Sequence, residues 1–209
     1  MADITTIAEL GTASGTLVLA IATFSATRSA NRSARVAERS LLAGMRPTLV
    51  PSRPEDRSER VDFARPGGVP RAFELPGGTA IVIQEGDVSM FAIALRNVGA
   101  GAALIQGWHM QRGFVGAEVR HADVDQFRPQ RRDLYISPGD TGFWQGAIRD
   151  TSDPLKEEVR AAIAEGDWLI AELLYSDQEG GRQFVSRFSL RQEDDHWYPV
   201  AGRHWTLDY

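Results

Sequence analysis

The sequence has no cysteine and a single lysine, Lys156. Without cysteine, disulfide frameworks, thiolate-bound zinc, iron–sulfur clusters and thiol nucleophiles are excluded. With one lysine, a P-loop or other lysine chemistry elsewhere in the chain is excluded as well. All other basic residues are arginine, which alongside plentiful Ala and Gly reads as the imprint of a GC-rich genome. The chain also lacks a GxSxG nucleophile turn, an HExxH helix and a GxGxxG turn. Val98-Gly99-Ala100-Gly101-Ala102 has close glycines, but no helix pattern follows to cradle a phosphate.

Charge is unevenly placed along the 209 residues, whose net value is −5. The first 46 residues carry Arg28, Arg32, Arg35, Arg39 and Arg46 against Asp3, Glu9 and Glu38. The remainder carries 18 basic against 25 acidic residues. An acidic body argues against nucleic acid as a partner, since that binding depends on neutralising phosphates.

Ile4–Phe24 is an apolar stretch with no Lys or Arg before it and five arginines after it. Its length matches the ~20 residues that cross a hydrocarbon core. Thr5, Thr6, Thr12, Ser14 and Thr16 dilute the first half, but such hydroxyls can bond back to the preceding turn. Glu9 lies near the outer end, where a carboxylate reaches the headgroups. Apolar-then-basic order predicts a membrane helix with its C-terminal side in the cytoplasm. A cleaved signal peptide fits less well, because Met1-Ala2-Asp3 is acidic and arginines follow the apolar run. A soluble or interfacial helix is the other alternative. Gly11 and Gly15 form a GxxxG, a candidate packing face for a homodimer in lipid.

No Pro or Gly occurs between Gly15 and Gly44, so the helix is expected to continue as a stalk to about Leu42. Arg28, Arg32, Arg35 and Arg39 fall within a stripe about 60° wide. The stripe is a candidate lipid-facing basic surface, or else a solvated face of the stalk. Residues 1–45 are therefore read as anchor and stalk, and 46–209 as one domain.

The domain reads as a series of short strands. These are Val61–Ala64, Arg71–Leu75, Ala80–Gln84, Val88–Val98, Ala102–Gln111, Leu134–Ile136, Gly142–Ile148, Trp168–Tyr175, Gln183–Arg191 and Trp197–Trp205, after an extended start at Arg46–Val50. Pro66-Gly67-Gly68, Pro76-Gly77-Gly78 and Ser137-Pro138-Gly139-Asp140 are turns. One helix interrupts, with Asp153 as N-cap, Pro154 in the first position and Gly166 at its end. The pattern predicts a mainly β chain, an antiparallel two-sheet sandwich with one short inserted helix.

Two segments carry a resemblance. Leu95-Arg96-Asn97-Val98-Gly99-Ala100-Gly101-Ala102, and Tyr175-Ser176-Asp177 with Gly181 and Phe184, resemble uncharacterised bacterial single-pass proteins with a C-terminal immunoglobulin-like domain. An Ala- and Arg-rich helix after the span is also typical of that group. The resemblance implies a membrane-tethered immunoglobulin-like sandwich and no activity. Asn97 and Gly99 are expected as turn formers.

Candidate sites are sparse. His121-Ala122-Asp123-Val124-Asp125 places three ligand-type side chains on one face of an extended segment, but lacks the glycine and glutamate of a calcium loop. Asp194-Asp195-His196 with His204 is a second small cluster, and His109 beside Trp108 reads as a packed or surface histidine. Glu157 and Glu158 suit a solvated helix rather than glycoside chemistry. Trp197, Tyr198 and Trp205 are a candidate partner surface, or else the aromatics that close the sandwich. Arg131-Arg132 is a further candidate contact on a loop. The expectation is a non-catalytic interaction or scaffold module, without metal or cofactor, held by lipid contact and serving an unidentified protein partner. Two alternatives stay open: a membrane-associated hydrolase or metal enzyme, and an extracytoplasmic binding domain of reversed topology.

Overall fold

The structure is a computed structural model that describes residues 2–64, 69–116, 118–178 and 180–207. Within the first helix it describes side chains at 15, 17, 19–38, 40, 41 and 44. Gly11 and Arg39 lie outside these described side chains.

The chain divides into two units, Met1–Gly44 and Met45–Tyr209. The first holds α1 (Ala2–Gly44). Thr23, Ser25 and Thr27 return their hydroxyls to the carbonyls of Leu19, Ala22 and Thr23 at 2.8–2.9 Å, the back-bonding that lets such residues sit in an apolar helix. Among the described residues, no helix is long and apolar enough to cross a membrane.

The second unit is mainly β and antiparallel. Its elements are β1 (Leu49–Pro51), β2 (Glu59–Phe63), β3 (Arg71–Leu75), β4 (Ala80–Glu85), β5 (Val88–Asn97), β6 (Ala103–Arg112), β7 (Arg128–Ile136), β8 (Thr141–Ile148), α2 (Pro154–Glu165), β9 (Leu169–Ser176), β10 (Gln183–Glu193) and β11 (His196–Leu207). Nine strands form one sheet, with β8 branching from β5, and β2–β3 stands apart as a hairpin. The sheet has two halves. In one, β5 is flanked by β8 on one edge and by β4 and β1, end to end, on the other. In the other, the order is β11-β10-β9-β6-β7. A single residue pair, Trp197 with Ala80, joins the halves.

Alternation explains the core. Phe91, Ile93 and Leu95 of β5 meet Trp108 and Met110 of β6, Leu173 and Tyr175 of β9, and Phe188 and Leu190 of β10 in one buried cluster. Val159 and Ala162 of α2 belong to it too. Asp153 caps α2 by accepting from the Leu155 N–H, and Gly166 ends it with φ 65°. The opposite face of β5, with Met90, Ala92 and Ala94, is covered by Val61, Phe63 and Leu75 of the β2–β3 hairpin. The outer face of β9–β10 is covered by Ala122 and Phe127, with Phe127, Leu174 and Val185 in a third cluster. Each half is thus buried on both sides along its middle strands. This is why β5, β9 and β10 read as apolar runs more than as alternations.

Asn97 is more than a turn former. It is fully buried at the end of β5. Its Oδ1 accepts from Thr48 N (3.1 Å) and Gly99 N (3.0 Å), while Nδ2 donates to Gly101 O (2.7 Å) and Ile136 O (3.0 Å). All four amide positions are satisfied, which ties β1, the β5–β6 turn and β7 to one side chain. Gly99 and Gly101 serve close approach: a Cβ on either would fall about 2 Å from the carbonyl oxygen of Arg46 or Met45.

Candidate functional site: an arginine-lined groove

A concavity of the β unit arises from an irregularity in β7. On β6, Ile105 pairs with Leu134 and Gly107 with Pro129, so Gln106 alone opposes Gln130, Arg131, Arg132 and Asp133. Those four residues bulge from the ladder. Extra residues bend a strand and re-aim its side chains. Across the seam, β8 pairs only with β5, and the turn Ser137–Asp140 joins it to β7. Gln130 stands between the two strands. Its Nε2 donates to the Gln145 carbonyl (3.1 Å), and its Oε1 accepts from Trp144 Nε1 (3.3 Å).

The result is a groove of about 500 Å³. Arg131, Arg132 and Arg149 line it, with Gln145 and Ala147 of β8 and the end of β2, whose Asp62 is paired with Arg60 at 3.3 Å. Arg149 donates from Nη2 to the Ala64 carbonyl (3.2 Å), pinning the end of β2. None of the three arginines has a carboxylate partner among the described residues. Gln145 Oε1 is buried with no hydrogen-bond partner. Gly146 admits the indoles beneath: a Cβ there would meet the Trp144 ring at 2.7 Å and the Trp108 ring at 3.2 Å. A smaller hollow of about 260 Å³ continues past Arg128 to the start of α2. There Arg128 is neutralised by Asp153, with Nη2 to Oδ1 at 2.9 Å, and lies over the Trp108 ring. That guanidinium, with the Leu155 N–H, holds the Asp153 carboxyl below the usual range.

Arg131 and Arg132 were expected on a loop; they belong to the bulge of β7. Arg149, Gln130 and Gln145 were not singled out from sequence. The available signal was an arginine pair and Pro129 interrupting an otherwise strand-like run.

The other sequence candidates lie apart from this groove. Arg28, Arg32 and Arg35 share an exposed face of α1 with Phe24, Thr27 and Asn31. A Cβ on Gly15 would meet nothing within 4 Å, so its face is open. Trp197 is 4% exposed and sits in the main core, Tyr198 is exposed, and Trp205 is half-buried in the outer cluster. The two tryptophans are eight residues apart, which would place them on one face of a regular strand. A bulge in β11 at Gly202–Arg203, opposite Arg187, shifts the phase and sends them to opposite faces.

His121 is buried edge-on against Trp205 (5.4 Å), while Asp123 and Asp125 are exposed. Among the described residues, no three His, Asp or Glu side chains converge as metal ligands. Asp194–His196 is an exposed turn. His204 lies opposite Ser186 and bonds to it: Ser186 Oγ sits 2.7 Å from His204 Nδ1 and 2.8 Å from Tyr175 Oη. Ser186 is fully buried, so this chain of hydroxyls and imidazole is closed to a substrate at its serine. Burial lowers the His204 pKa and raises that of Tyr175.

A second polar cluster lies on the outer face of β9–β10. Arg187 and Glu172 are paired and buried there. Arg187 also donates to the carbonyls of Val119 (3.0 Å) and Arg120 (2.8 Å), and Glu172 accepts from Ala122 N (2.8 Å). It holds Val119, Arg120 and Ala122 against the sheet and offers no opening.

No family model matches this chain, and no curated protein matches it.

Proposed function

We propose that this chain is a membrane-tethered, non-catalytic interaction module. Its N-terminal segment anchors it in a single pass, and its β unit, an immunoglobulin-like sandwich, meets a protein partner in the cytoplasm. One observation carries the tether. Leu17, Leu19, Ile21 and Phe24 are each 61–68% exposed, and Leu17 and Leu19 point to opposite sides of α1. Apolar side chains exposed around a helix are unfavourable in water by roughly 25 cal/mol per Å², and a bilayer removes that cost. Arg28, Arg32 and Arg35 follow at once on an exposed face, where anionic lipid contributes on the order of 1 kcal/mol per arginine. Gly15, with Gly11, supplies the face through which two copies pair. The groove beside β7 and β8 supplies the surface that a partner meets.

Because the chain has no cysteine, an introduced one is a unique label. Tyr135 is 71% exposed, and Tyr135→Cys places that label on the β unit. The expected result is recovery in the membrane fraction, with labelling by an impermeant maleimide only after the cells are opened. Labelling of intact cells would reverse the orientation. Recovery in the soluble fraction would remove the tether.

A further inference from the structure

We infer that the groove between β7 and β8 binds an extended acidic peptide segment of a partner protein, with carboxylates at alternate positions. The inference rests on reading the β unit as a partner-binding module and names the chemistry of that partner.

Charge selects the sign. The β unit has more acids than bases, and its structural arginines are neutralised: Arg96 by Asp56, Arg112 by Asp167, Arg128 by Asp153 and Arg187 by Glu172. Arg131, Arg132 and Arg149 differ from these. They have no carboxylate partner among the described residues, and they meet in one concavity. A planar guanidinium presents five donors suited to carboxylate or phosphate, and Arg149 spends one of them on Ala64.

The remaining features separate a peptide from a phosphate. Gln145 Oε1 is a buried acceptor without a donor. An inorganic phosphate at neutral pH brings mainly acceptor oxygens, whereas a peptide main chain brings an N–H at every residue. The groove also runs beside a strand edge. β8 is laddered to β5 on one side only, and Gln130 touches the other side through the single carbonyl of Gln145. An extended segment lies naturally along such an edge, and its alternate side chains point to one side. There, carboxylates two residues apart reach Arg131, Arg132 and Arg149 together. The aromatic side chain in the lining, Phe63, is 2% exposed, so no ring is presented for a base to stack on.

The test uses the full chain in detergent micelles and a capped, fluorescein-labelled octapeptide of alternating Glu and Ser, read by anisotropy. The acidic peptide is expected to bind, more weakly as salt rises, while its Lys–Ser counterpart does not. Arg131→Gln, Arg132→Gln and Arg149→Gln should each weaken binding about tenfold or more. Gln145→Leu should weaken it too, with no change of net charge. Arg53→Gln, at an exposed arginine outside the groove, should leave it unchanged. Arg131 and Arg132 are exposed on the bulge, so their variants report on binding even where Arg149→Gln disturbs β2.

Absence of peptide binding, or binding insensitive to all three arginine variants, overturns the inference. Tighter binding of tripolyphosphate or of phosphatidylglycerol vesicles at the same arginines overturns it by reassigning the groove to phosphate. A chain that fractionates with membranes yet ignores the peptide loses the groove assignment and keeps the tether. A chain that binds the peptide but fractionates as soluble does the reverse.

Discussion

The Nε of Arg187 lies 2.8 Å from Oε1 of Glu172, and both side chains are at most 3% exposed. They are cross-strand neighbours on β10 and β9. The Arg187 guanidinium also lies 4.8 Å from the Trp205 ring centre. Two charges leave water together here, and the backbone of Gly116, Val119, Arg120 and Ala122 satisfies the remaining donors and acceptors. Such an arrangement tolerates joint replacement better than the loss of one member.

Arg187→Met should therefore cost about 3–5 kcal/mol in urea denaturation, because Glu172 is left buried without its counter-charge. The double variant with Glu172→Leu should recover a large part of that loss. Limited proteolysis should show segment 113–123 newly cleavable in the single variant. Equal costs for the single and double variants would mean that packing, not charge, dominates the site.

Asn97→Ala removes four hydrogen bonds and leaves buried backbone groups unpaired. The expected loss is about 3 kcal/mol. Gly101→Ala acts on the same junction by a different route. Its methyl would overlap the Met45 carbonyl, so backbone must shift, at about 1–3 kcal/mol. Chemical denaturation measures both, and the effects should be less than additive because the residues share one contact set.

Stability should fall as pH drops below neutral. Burial holds His109 and His204 below their ordinary value of 6.5. For His109, the Glu172 carboxylate opposes that shift, and the Arg128 and Arg187 guanidiniums reinforce it. Above pH 6.5 both rings are neutral whether folded or unfolded. Below it, the unfolded chain takes protons that the folded chain refuses, so stability is lost down to the folded pKa values. Urea midpoints at pH 7.5 and 5.5 test this. His109→Asn should flatten the difference, and an unchanged slope would place the proton uptake elsewhere.

If the anchor pairs through its glycines, Gly15→Ile should abolish dimer cross-linking in membranes without releasing the chain from them. Cross-linking at the unmutated level would assign pairing to another surface.

Much of the β unit was legible in the sequence. Strands alternating about short turns, and α2 with its Asp153 cap and Gly166 stop, follow from local rules that act within a few residues. Three features were not legible, each because a distant partner decides it. Arg187 alternates away from Phe184 and Phe188, which reads as solvent-facing until segment 113–123 folds over it. Trp197 and Trp205 part company only through the β11 bulge opposite Arg187. The groove needs the β7 bulge, where Pro129 and Asp133, both depleted in strands, flank the arginines and make them read as a loop. Of its lining, only Arg131 and Arg132 could be suspected from sequence.

The clamp at Asn97 also has a mechanical meaning. The Arg46 carbonyl accepts from Ala100 N at 3.1 Å, and two residues on Thr48 N is held by Asn97. Tension arriving along the chain from residue 44 is therefore met within a few residues by the β5–β6 turn, with no slack to take up first. The strand it loads is β1, only three residues long and laddered to β5 alone. If the proposed tether pulls on residue 44, β1 is expected to peel before the longer ladders of β4–β5–β8 and β9–β10–β11.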